Sequence, residues 1–466
     1  MYELNIPLKE GSVPYYQQIY SFIVNEIRSG ALPPTTKMPS TRVLAANLGI
    51  SRSTTQYAYD QLLAEGYLES IPCSGYYIAE VTSDVIPVQD KVVFDRSEEK
   101  KSSEEETAWV CDFSPRGVDV ELFPHQIWRK LYREILDETL FNAGDSQGEM
   151  AFRRALARYL HSARGVNCCP EQIIVGAGNE YLLLLLSQIL GGPQTIAMEN
   201  PTYKQAYRVF ERAGYDVRPV MMDAYGMSMK GLEASGADLA YVMPSHQYPT
   251  GIVMPIRRRM ELLTWAKQGK ERYLIEDDYD SEFRYRGKPI PALQGVDRED
   301  KVIYIGTFSR SIAPAIRVSY MVLPEKLLSR YRERCDFYAS TVSRVDQHML
   351  TRFLSEGYLE RHLNKMRKRY RMKHDALLDA LAPLRDVMEI HGEEAGIHLL
   401  VTSKCGKSEA CLVEEARRVG VKVYGMSRNH IGELTKKEPG TVILGYANCK
   451  IDEIRMGARS LCEAWH

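Results

Sequence analysis

The residues best suited to hold a small ligand follow two apolar runs in the second half of the chain. The run YLIE is followed by Asp277 and, two positions later, by Tyr279. The run KVIYIG is followed by Thr307, and Arg317 comes after it. Such runs are typical of buried strands in a parallel sheet, and open α/β sheets bind ligands at the carboxyl ends of their strands. We therefore expect a carboxylate, a phenol, a hydroxyl and a guanidinium to meet in one crevice and bind a ligand there.

A strand, a glycine turn and a helix are predicted in QIIVGAGNEYLLLLLSQIL. The backbone N–H groups of Ala177, Gly178 and Asn179 would then lie at the start of the helix, where the helix dipole favours a phosphate. The turn alone is weak evidence, because glycine turns join strands to helices in many folds. The motif ENPTY contains Tyr203, which by residue type alone would more often be an ordinary core side chain.

These motifs together resemble a known family. IEDDYDSEFRY followed by YIGTFSRSIAPAIRVSY is similar to the aminotransferase-like half of MocR-type regulators, a branch of the GntR family built on the fold-type-I pyridoxal-phosphate enzymes. The resemblance implies that Asp277 pairs with the pyridinium nitrogen of pyridoxal phosphate, that Tyr279 donates to its phenolic oxygen, and that Tyr203 stacks on its ring. The other cofactor-binding positions assigned in this way are Ala177, Gly178, Asn179, Thr307, Arg310 and Arg317.

The family's Schiff-base lysine directly follows the TFS motif, and that place is held here by Arg310. A guanidinium stays protonated and offers no nucleophilic amine, so we predict no catalytic residue and no aminotransferase turnover. A family tyrosine that reaches the partner subunit's phosphate is Ala143 here, and Thr441 and Ile443 stand where an arginine often grips the substrate carboxylate. Pyridoxal phosphate is therefore expected to bind non-covalently or not at all.

The first 79 residues predict a winged helix-turn-helix. An amphipathic helix in PYYQQIYSFIVNEIR comes first, with Ile19 and Ile23 on its apolar face. Ser40 and Ser51 are suited to cap two short helices, the first ending at Gly49. The stretch LGIS between those helices supplies the tight turn, and GYLESIPCSGYYIA predicts a short hairpin, the wing.

This segment resembles the GntR-type winged-helix domain across nearly its whole length. The resemblance implies binding to a double-stranded DNA operator, because arginines suit phosphates and guanine edges and a helix N-terminus favours phosphate. A module for protein interaction is the alternative. The DNA-contacting residues implied by the resemblance are Arg42, Arg52, Thr54, Gln56, Ser74 and Gly75.

Two features of the winged-helix segment weaken its attraction to DNA. In the wing, an arginine usual in the family is Ile71, and a usual glycine is Cys73. The segment to residue 78 also carries five basic and six acidic residues, so counter-ion release should contribute modestly. Tight binding would therefore depend on dimerisation and on direct contacts to bases.

The length of 466 residues predicts several domains rather than one core. We place a mostly helical winged-helix domain at 1–79, a polar linker at 80–108, an α/β large domain of the fold-type-I transferase type at 109–330, and a small α+β domain at 331–466. The linker assignment rests on the charged run EEKKSSEEE.

Composition limits the location and the partners. The 60 basic and 61 acidic residues give no overall field toward nucleic acid, so DNA binding must be local. Nine scattered cysteines without a CxxC pair argue against disulfides and against a metal site, and fit a reducing cytoplasm. No apolar run is long enough for a membrane span, so we expect no membrane partner.

The leading hypothesis is a homodimeric transcription regulator that binds an operator and senses a small-molecule effector. An aminotransferase with a DNA-binding appendix is a second hypothesis, which the missing lysine argues against. A third is a scaffold without a ligand, in which the large domain only dimerises the winged helix. A fourth possibility is that Arg310 is an engineered substitution.

Overall fold

The structure is a computed structural model that describes residues 4, 6–9, 11, 13–72, 74–80, 109–285, 290–432 and 439–466. The chain divides into two compact units, Met1–Glu105 and Glu106–His466. Nearly all of the predicted linker and Cys73 of the predicted wing lie outside the described residues.

The first unit is a winged helix-turn-helix. Ser40 accepts a hydrogen bond from the backbone N–H of Val43, and Ser51 accepts one from that of Thr54, so both predicted caps are confirmed. Gly49 ends the second helix with φ +65°, a left-handed conformation that glycine adopts without strain. The elements are α1 (Tyr15–Arg28), α2 (Thr41–Leu48), α3 (Arg52–Ala64), β1 (Leu68–Ile71) and β2 (Gly75–Ile78).

One apolar cluster holds the first unit together. Ile19 and Ile23 of α1, Leu44 of α2 and Leu62 of α3 are fully buried in it. The strands β1 and β2 pair antiparallel, with Leu68 opposite Ile78, and both of these side chains reach the same cluster. Helix spacing and strand alternation therefore direct their apolar residues to one core.

The second unit is an α/β domain with a smaller sheet beside it. Its helices are α4 (His125–Ile135), α5 (Met150–Arg164), α6 (Asn179–Ile189), α7 (Lys204–Arg212), α8 (Met229–Ser235), α9 (Ile256–Lys267), α10 (Leu293–Val296), α11 (Glu325–Arg334), α12 (Arg344–Ser355), α13 (Tyr358–Leu381), α14 (Glu409–Arg418) and α15 (Ile451–Trp465). Its strands are β3 (Cys111–Asp112), β4 (Ile173–Gly176), β5 (Thr195–Asn200), β6 (Asp216–Asp223), β7 (Gly226–Met227), β8 (Leu239–Val242), β9 (Tyr273–Asp278), β10 (Val302–Thr307), β11 (Ser319–Val322), β12 (Met388–His391), β13 (His398–Ser403), β14 (Val421–Lys422), β15 (Tyr424–Gly425) and β16 (Thr441–Gly445). Short 3₁₀ turns lie at Val120–Leu122, Glu138–Phe141, Pro170–Gln172, Pro314–Ile316, Ala382–Asp386 and Met426–Asn429.

Eight strands form the large sheet in the order β4-β11-β10-β9-β8-β5-β6-β7. The five central strands from β10 to β6 run parallel. At the edges, β11 pairs antiparallel with β10, β4 pairs antiparallel with β11, and β7 pairs antiparallel with β6. Neighbouring residues of β9 enter different clusters: Ile275 packs with Leu182 of α6, and Leu274 packs with Trp265 of α9. Helices thus cover both faces, as the near-continuous apolar runs of parallel strands require.

The smaller sheet has the order β12-β13-β16-β15 and is antiparallel. The sequence VKVYGM, predicted to be one strand, is divided in the structure. Val421–Lys422 pairs in parallel with Cys111–Asp112, whereas Tyr424–Gly425 pairs with β16. The division occurs because two different neighbours supply its hydrogen bonds.

The boundary predicted between a large and a small domain at 330 and 331 does not coincide with the packing of the second unit. Leu350 and Phe353 of α12 belong to the same cluster as Phe152 of α5 and Val175 of β4, so α12 packs on the large sheet. Conversely, the start of the unit joins the smaller sheet's core, because Phe113 packs there beside residues of α15.

Among the described residues, no helix combines the length and the apolar character that crossing a membrane requires. In that same part of the chain, no three His, Cys, Asp or Glu residues lie together in a way that could hold a metal ion.

Candidate functional site

A pocket of about 240 Å³ opens at the carboxyl ends of β9 and β10. Strand pairing sets Asp277 beside Ile305, and Thr307 is the last residue of β10. Seven of the nine predicted cofactor positions line this pocket: Asn179, Tyr203, Asp277, Tyr279, Thr307, Arg310 and Arg317. The lining residues that the sequence did not single out are Arg116, Glu180, Gln205, Met243, Tyr248, Ser309 and Pro314.

Asp277 is the buried acid of the pocket, with 3% of its surface exposed. The hydroxyl of Tyr241 donates to Oδ2, and Nδ2 of Asn179 donates to Oδ1 at 3.1 Å. Burial raises the pKa of Asp277 to about 7, and these two hydrogen bonds oppose the rise. A ligand that brings a protonated nitrogen to this carboxylate would therefore be stabilised by charge.

Tyr279 lies at the side of the pocket and contacts a buried polar pair. Its hydroxyl is 3.0 Å from Nδ1 of His246, and the same nitrogen is 2.8 Å from Oδ2 of Asp280. Burial raises the pKa of Tyr279, while the positive charge of Arg310 opposes this. The phenol consequently remains protonated at neutral pH and keeps a hydrogen to donate.

The glycine turn before α6 differs in detail from the phosphate site that the sequence suggested. The N–H of Ala177 donates to Oγ1 of Thr341 at 2.9 Å, and the N–H of Gly178 donates to the carbonyl of Gly176 at 2.9 Å. Neither residue lines the pocket, and both amides are used by the chain itself. Gly178 has φ +98°, and a Cβ there would lie 2.3 Å from Nη2 of Arg317.

Arg317 is shared between the turn and an acid of the pocket. Its Nη2 donates to the carbonyl of Ala177 at 3.3 Å and to Oε2 of Glu180 at 3.0 Å. The other oxygen of Glu180 accepts from the hydroxyl of Tyr203 at 3.0 Å. Burial alone would raise the pKa of Glu180, but its hydrogen bonds, including those from Arg317 and Tyr203, hold the pKa below its usual value. Glu180 therefore carries a negative charge beside Arg317.

Arg310 is half-buried in the pocket, and its Nη1 donates to the carbonyl of Gly117 at 3.4 Å. Within the part of the chain that the structure describes, it forms no ion pair with a carboxylate. The raised pKa of Asp277 agrees with this, since a guanidinium close to that carboxylate would lower it. Arg310 and Asp277 therefore form no ion pair with each other among the described residues.

The end of β10 presents two hydroxyls to the pocket. Oγ1 of Thr307 accepts from the backbone N–H of Ser309 at 3.2 Å and from the hydroxyl of Ser319 at 2.9 Å. The hydroxyl of Thr307 in turn donates to Oγ of Ser309 at 3.1 Å. The hydrogen of Ser309 is then left to donate to a ligand.

The predicted DNA-contacting residues lie at the start of α2, on α3 and in the wing. The side chains of Arg42 and Arg52 are exposed. The hydroxyl of Thr54 lies 2.8 Å from that of the cap residue Ser51, so it also takes part in the cap. Gln56 is engaged within the unit: its Oε1 accepts from Thr41 and its Nε2 donates to Asp60. In the wing, Ser74 lies 2.6 Å from the hydroxyl of Tyr77, and Gly75 is exposed.

Comparison with known proteins covers both units. Residues 15–78 match the family of bacterial regulatory proteins called gntR, and residues 119–460 match aminotransferase class I and II. The chain is 38% identical over 461 residues to the HTH-type transcriptional regulator YdeL of Bacillus subtilis, covering 97% of each chain. It is 31% identical over 471 residues to the probable rhizopine catabolism regulatory protein MocR of Rhizobium meliloti, covering 98% of this chain and 95% of that one. The chain belongs to the MocR-type transcriptional regulators.

The fold of this MocR-type regulator is also found among enzymes. Its second unit is similar to the multiple substrate aminotransferase of Thermococcus profundus, with a TM-score of 0.67 and 25% identity over 77% of this chain and 92% of the enzyme. The predicted fold, a GntR-type winged helix followed by an aminotransferase-like α/β domain, is confirmed.

The pocket of this MocR-type regulator fits pyridoxal phosphate in part. Asp277 offers a buried acid to a ring nitrogen, and Oδ1 of Asn179 beside it is a buried acceptor without a partner among the described residues. Ser309 offers a hydroxyl hydrogen to a phosphate, whereas the hydroxyl hydrogen of Thr307 is donated to Ser309 and Arg317 is already paired with Glu180. When bound, the cofactor supplies an electron sink for amino-acid chemistry. The position of Arg310 offers no amine for covalent attachment.

Proposed function

We propose that this regulator binds an operator through its first unit and a small anionic molecule through its second, without covalent attachment and without transamination. The observation that carries this proposal is the composition of the pocket. It keeps a buried acid in Asp277 and a phenol in Tyr279, but at 310 it has a guanidinium. Such a pocket can bind and orient a ligand, yet it lacks the nucleophile that each turnover of an aminotransferase needs.

The ligand of this proposal is pyridoxal phosphate or an amino compound. Asp277 would hold a protonated nitrogen, and Tyr279 would donate to an oxygen of the ligand. The charged side chains that line the pocket are three arginines and two acids, so an anionic ligand is favoured. Binding would reach the DNA if the ligand changes the relative stability of two arrangements of the dimer.

A homodimer formed by the second unit is part of the proposal. Large apolar side chains are exposed on this unit, notably Phe141 at 78% and Phe337 at 74%, with Tyr338 packed on the latter. Exposed aromatic groups of this size favour a protein interface. A two-fold dimer would present two winged helices to two repeated half-sites of an operator.

One titration distinguishes this proposal from the two alternative hypotheses, an aminotransferase and a scaffold without a ligand. Pyridoxal phosphate is added to the full chain while visible absorbance is recorded, then borohydride is added and the protein is analysed by mass spectrometry. We expect a saturable absorbance change without a pyridoxyl adduct in the pocket. An adduct would overturn the non-covalent assignment, and a chain that binds neither this cofactor nor any amino acid would favour the scaffold.

The variant Arg310→Lys gives the matched experiment. If the pocket holds pyridoxal phosphate in the family's register, lysine at 310 should allow covalent attachment, which borohydride would fix at that residue. Arg459→Lys, an exposed arginine of α15 outside the pocket, is the control and should show no adduct. Failure of Arg310→Lys to form the adduct, with cofactor bound, would show that the ring lies in a different register.

A further inference from the structure

Two arginines of the pocket have no acidic partner in the part of the chain that the structure describes. Arg116 and Arg310 both line the cavity, and neither forms an ion pair with any carboxylate that the structure describes. Arg317, the third arginine of the lining, is neutralised by Glu180 at 3.0 Å. The free positive charge of the pocket therefore lies at Arg116 and Arg310 and not at the glycine turn.

Arg116 is held in place by the chain on both sides of it. Three residues earlier, the carbonyl of Phe113 accepts from the N–H of Gly445 at 2.9 Å. Three residues later, Oδ2 of the buried Asp119 pairs with Nζ of the buried Lys373 at 2.7 Å. This hydrogen bond and this ion pair hold the backbone around residue 116 against the smaller sheet and helix α13. The side chain of Arg116 therefore extends from a fixed backbone position.

The neighbouring Gly117 links the two arginines. Its carbonyl accepts from Nη1 of Arg310 at 3.4 Å. A Cβ on Gly117 would lie 2.5 Å from the side chain of Asn448, so only glycine lets the backbone pack this closely. The close packing keeps that carbonyl within reach of Arg310.

Arg116 and Arg310 line the same pocket as Tyr248. Burial raises the pKa of Tyr248, and the charges of Arg310 and Arg116 oppose that rise. Two like charges that line one small cavity repel each other, and an anion between them removes the repulsion and gains attraction from both. Planar guanidinium groups bind a carboxylate through two parallel hydrogen bonds, which gives direction as well as strength.

We propose that Arg116 and Arg310 together form a carboxylate-binding subsite for the effector of this pocket. This proposal rests on the proposed function, because it names the chemical class of the molecule that the second unit binds. The ligand is a small carboxylic acid whose carboxylate lies between the two guanidinium groups, with Tyr248 beside it. Its remaining polar groups face Asp277 and Tyr279.

The test uses the full chain and four probes: L-alanine, L-glutamate, β-alanine and glutarate. Each acid, its matched carboxamide and inorganic phosphate are added in separate experiments. The thermal midpoint of the protein and the dissociation constant of the added compound are measured in each. The variants are Arg116→Gln, Arg310→Gln, the double variant that combines these two substitutions, and Arg116→Lys. Arg459→Gln removes an exposed arginine from α15 and serves as the charge-matched control.

At least one acid should raise the thermal midpoint, and its carboxamide should not. Arg116→Gln and Arg310→Gln should each weaken the binding of that acid roughly tenfold or more, since a hydrogen bond to a charged group is lost. The two effects should be less than additive in the double variant, because both side chains bind one group. Arg116→Lys should recover part of the affinity, and Arg459→Gln should leave it unchanged.

Three results would overturn the subsite. They are the binding of no acid in the panel, equal affinity in wild type and Arg116→Gln, or protection by phosphate alone through the same two arginines. Operator binding, measured in parallel by a mobility-shift assay, reports the proposed function separately. If the chain binds DNA and a ligand, but Arg116→Gln leaves the affinity for that ligand unchanged, this inference is wrong and the proposed function still stands.

Discussion

Replacing Asp277 by asparagine tests the electrostatics of the pocket directly. The carboxyl is buried, and its oxygens accept from Tyr241 and Asn179. An asparagine has the same shape and no charge. Its amide could also donate to Oδ1 of Asn179, which is buried without a partner among the described residues, after rotation of the two amides. The substitution therefore removes a buried charge without opening a cavity.

The expected size of the effect follows from the raised pKa. Burial raises the pKa of Asp277 from 3.8 to about 7, so its charge costs about 4 kcal/mol of stability when fully formed, at about 1.4 kcal/mol per pH unit. The folded pKa lies above the unfolded one, so stability is greatest below about pH 4 and is lost as pH rises through 7. As the pH rises from 5 to 8, this carboxyl alone lowers the free energy of unfolding by about 2–3 kcal/mol.

The measurement is urea unfolding followed by tryptophan fluorescence between pH 5 and pH 8. All four tryptophans lie after residue 105, so the signal reports the second unit. Glu199, Glu276 and Glu282 also have a pKa near 7 because of burial, so the absolute curve contains several acids. The difference between wild type and Asp277→Asn isolates the one carboxyl.

We expect the variant to gain stability relative to wild type as pH rises, and to lose affinity for pyridoxal phosphate, whose ring nitrogen no longer meets a charge. Glu199→Gln is the matched control: it removes another buried acid that does not line the pocket, so it should change the pH dependence and spare ligand binding. Parallel stability curves for wild type and Asp277→Asn across this range would refute the reasoning, because they would show that Asp277 does not titrate there.

Three further predictions concern other parts of the chain. Gly178→Ala should destabilise the second unit by about 1–3 kcal/mol in urea unfolding, since its backbone region admits glycine almost alone and a Cβ would displace Arg317; an unchanged midpoint would contradict this. Arg52→Ala should weaken operator binding by about 1–3 kcal/mol in a salt-controlled shift assay if it reads a base edge, whereas Lys9→Ala should change it little; equal binding by both variants would remove Arg52 from the interface. The full chain should sediment as a dimer, and Phe337→Ser should weaken the dimer by about 2 kcal/mol if the ring is buried in the contact; a wild-type monomer at micromolar concentration would exclude the dimer.

Local signals predicted much of the fold. The serines before α2 and α3 cap these helices as expected, because a hydroxyl three residues before a free N–H is within reach of it in any helix. The strands β9 and β10 follow from apolar runs, since a strand covered on both faces has few polar residues. Each of these features depends on neighbours in sequence, which a pattern can detect.

The parts that the sequence missed depend on distant pairings. The segment VKVYGM is divided because Cys111–Asp112, some 310 residues earlier, pairs with its first two residues. Contacts of Phe113 with Gly445 and of Asp119 with Lys373, also distant in sequence, hold the segment that carries Arg116. Nothing near Arg116 in the sequence marks it as a ligand-binding residue. One signal was available for Tyr248, which lies in the loop PSHQYPTG that joins β8 to α9. Glu180 could have been noticed as an acid in the first turn of a helix thought to bind phosphate.

The cost of burying Asp277 argues against a second unit that serves only as a scaffold. A carboxyl whose pKa is raised to about 7 by burial destabilises the fold at neutral pH, and an apolar residue in its place would remove this cost. A positively charged group of a ligand beside Asp277 would offset the cost, so ligand binding and the charge of this carboxyl are coupled. Pyridoxal phosphate or another ligand with a protonated nitrogen should therefore stabilise wild type more at pH 8 than at pH 5, until the ligand's own nitrogen loses its proton. In Asp277→Asn the pH dependence of this stabilisation should be smaller than in wild type, because only the ligand's own groups still titrate. An equal pH dependence in both proteins would place the ligand's nitrogen elsewhere in the pocket.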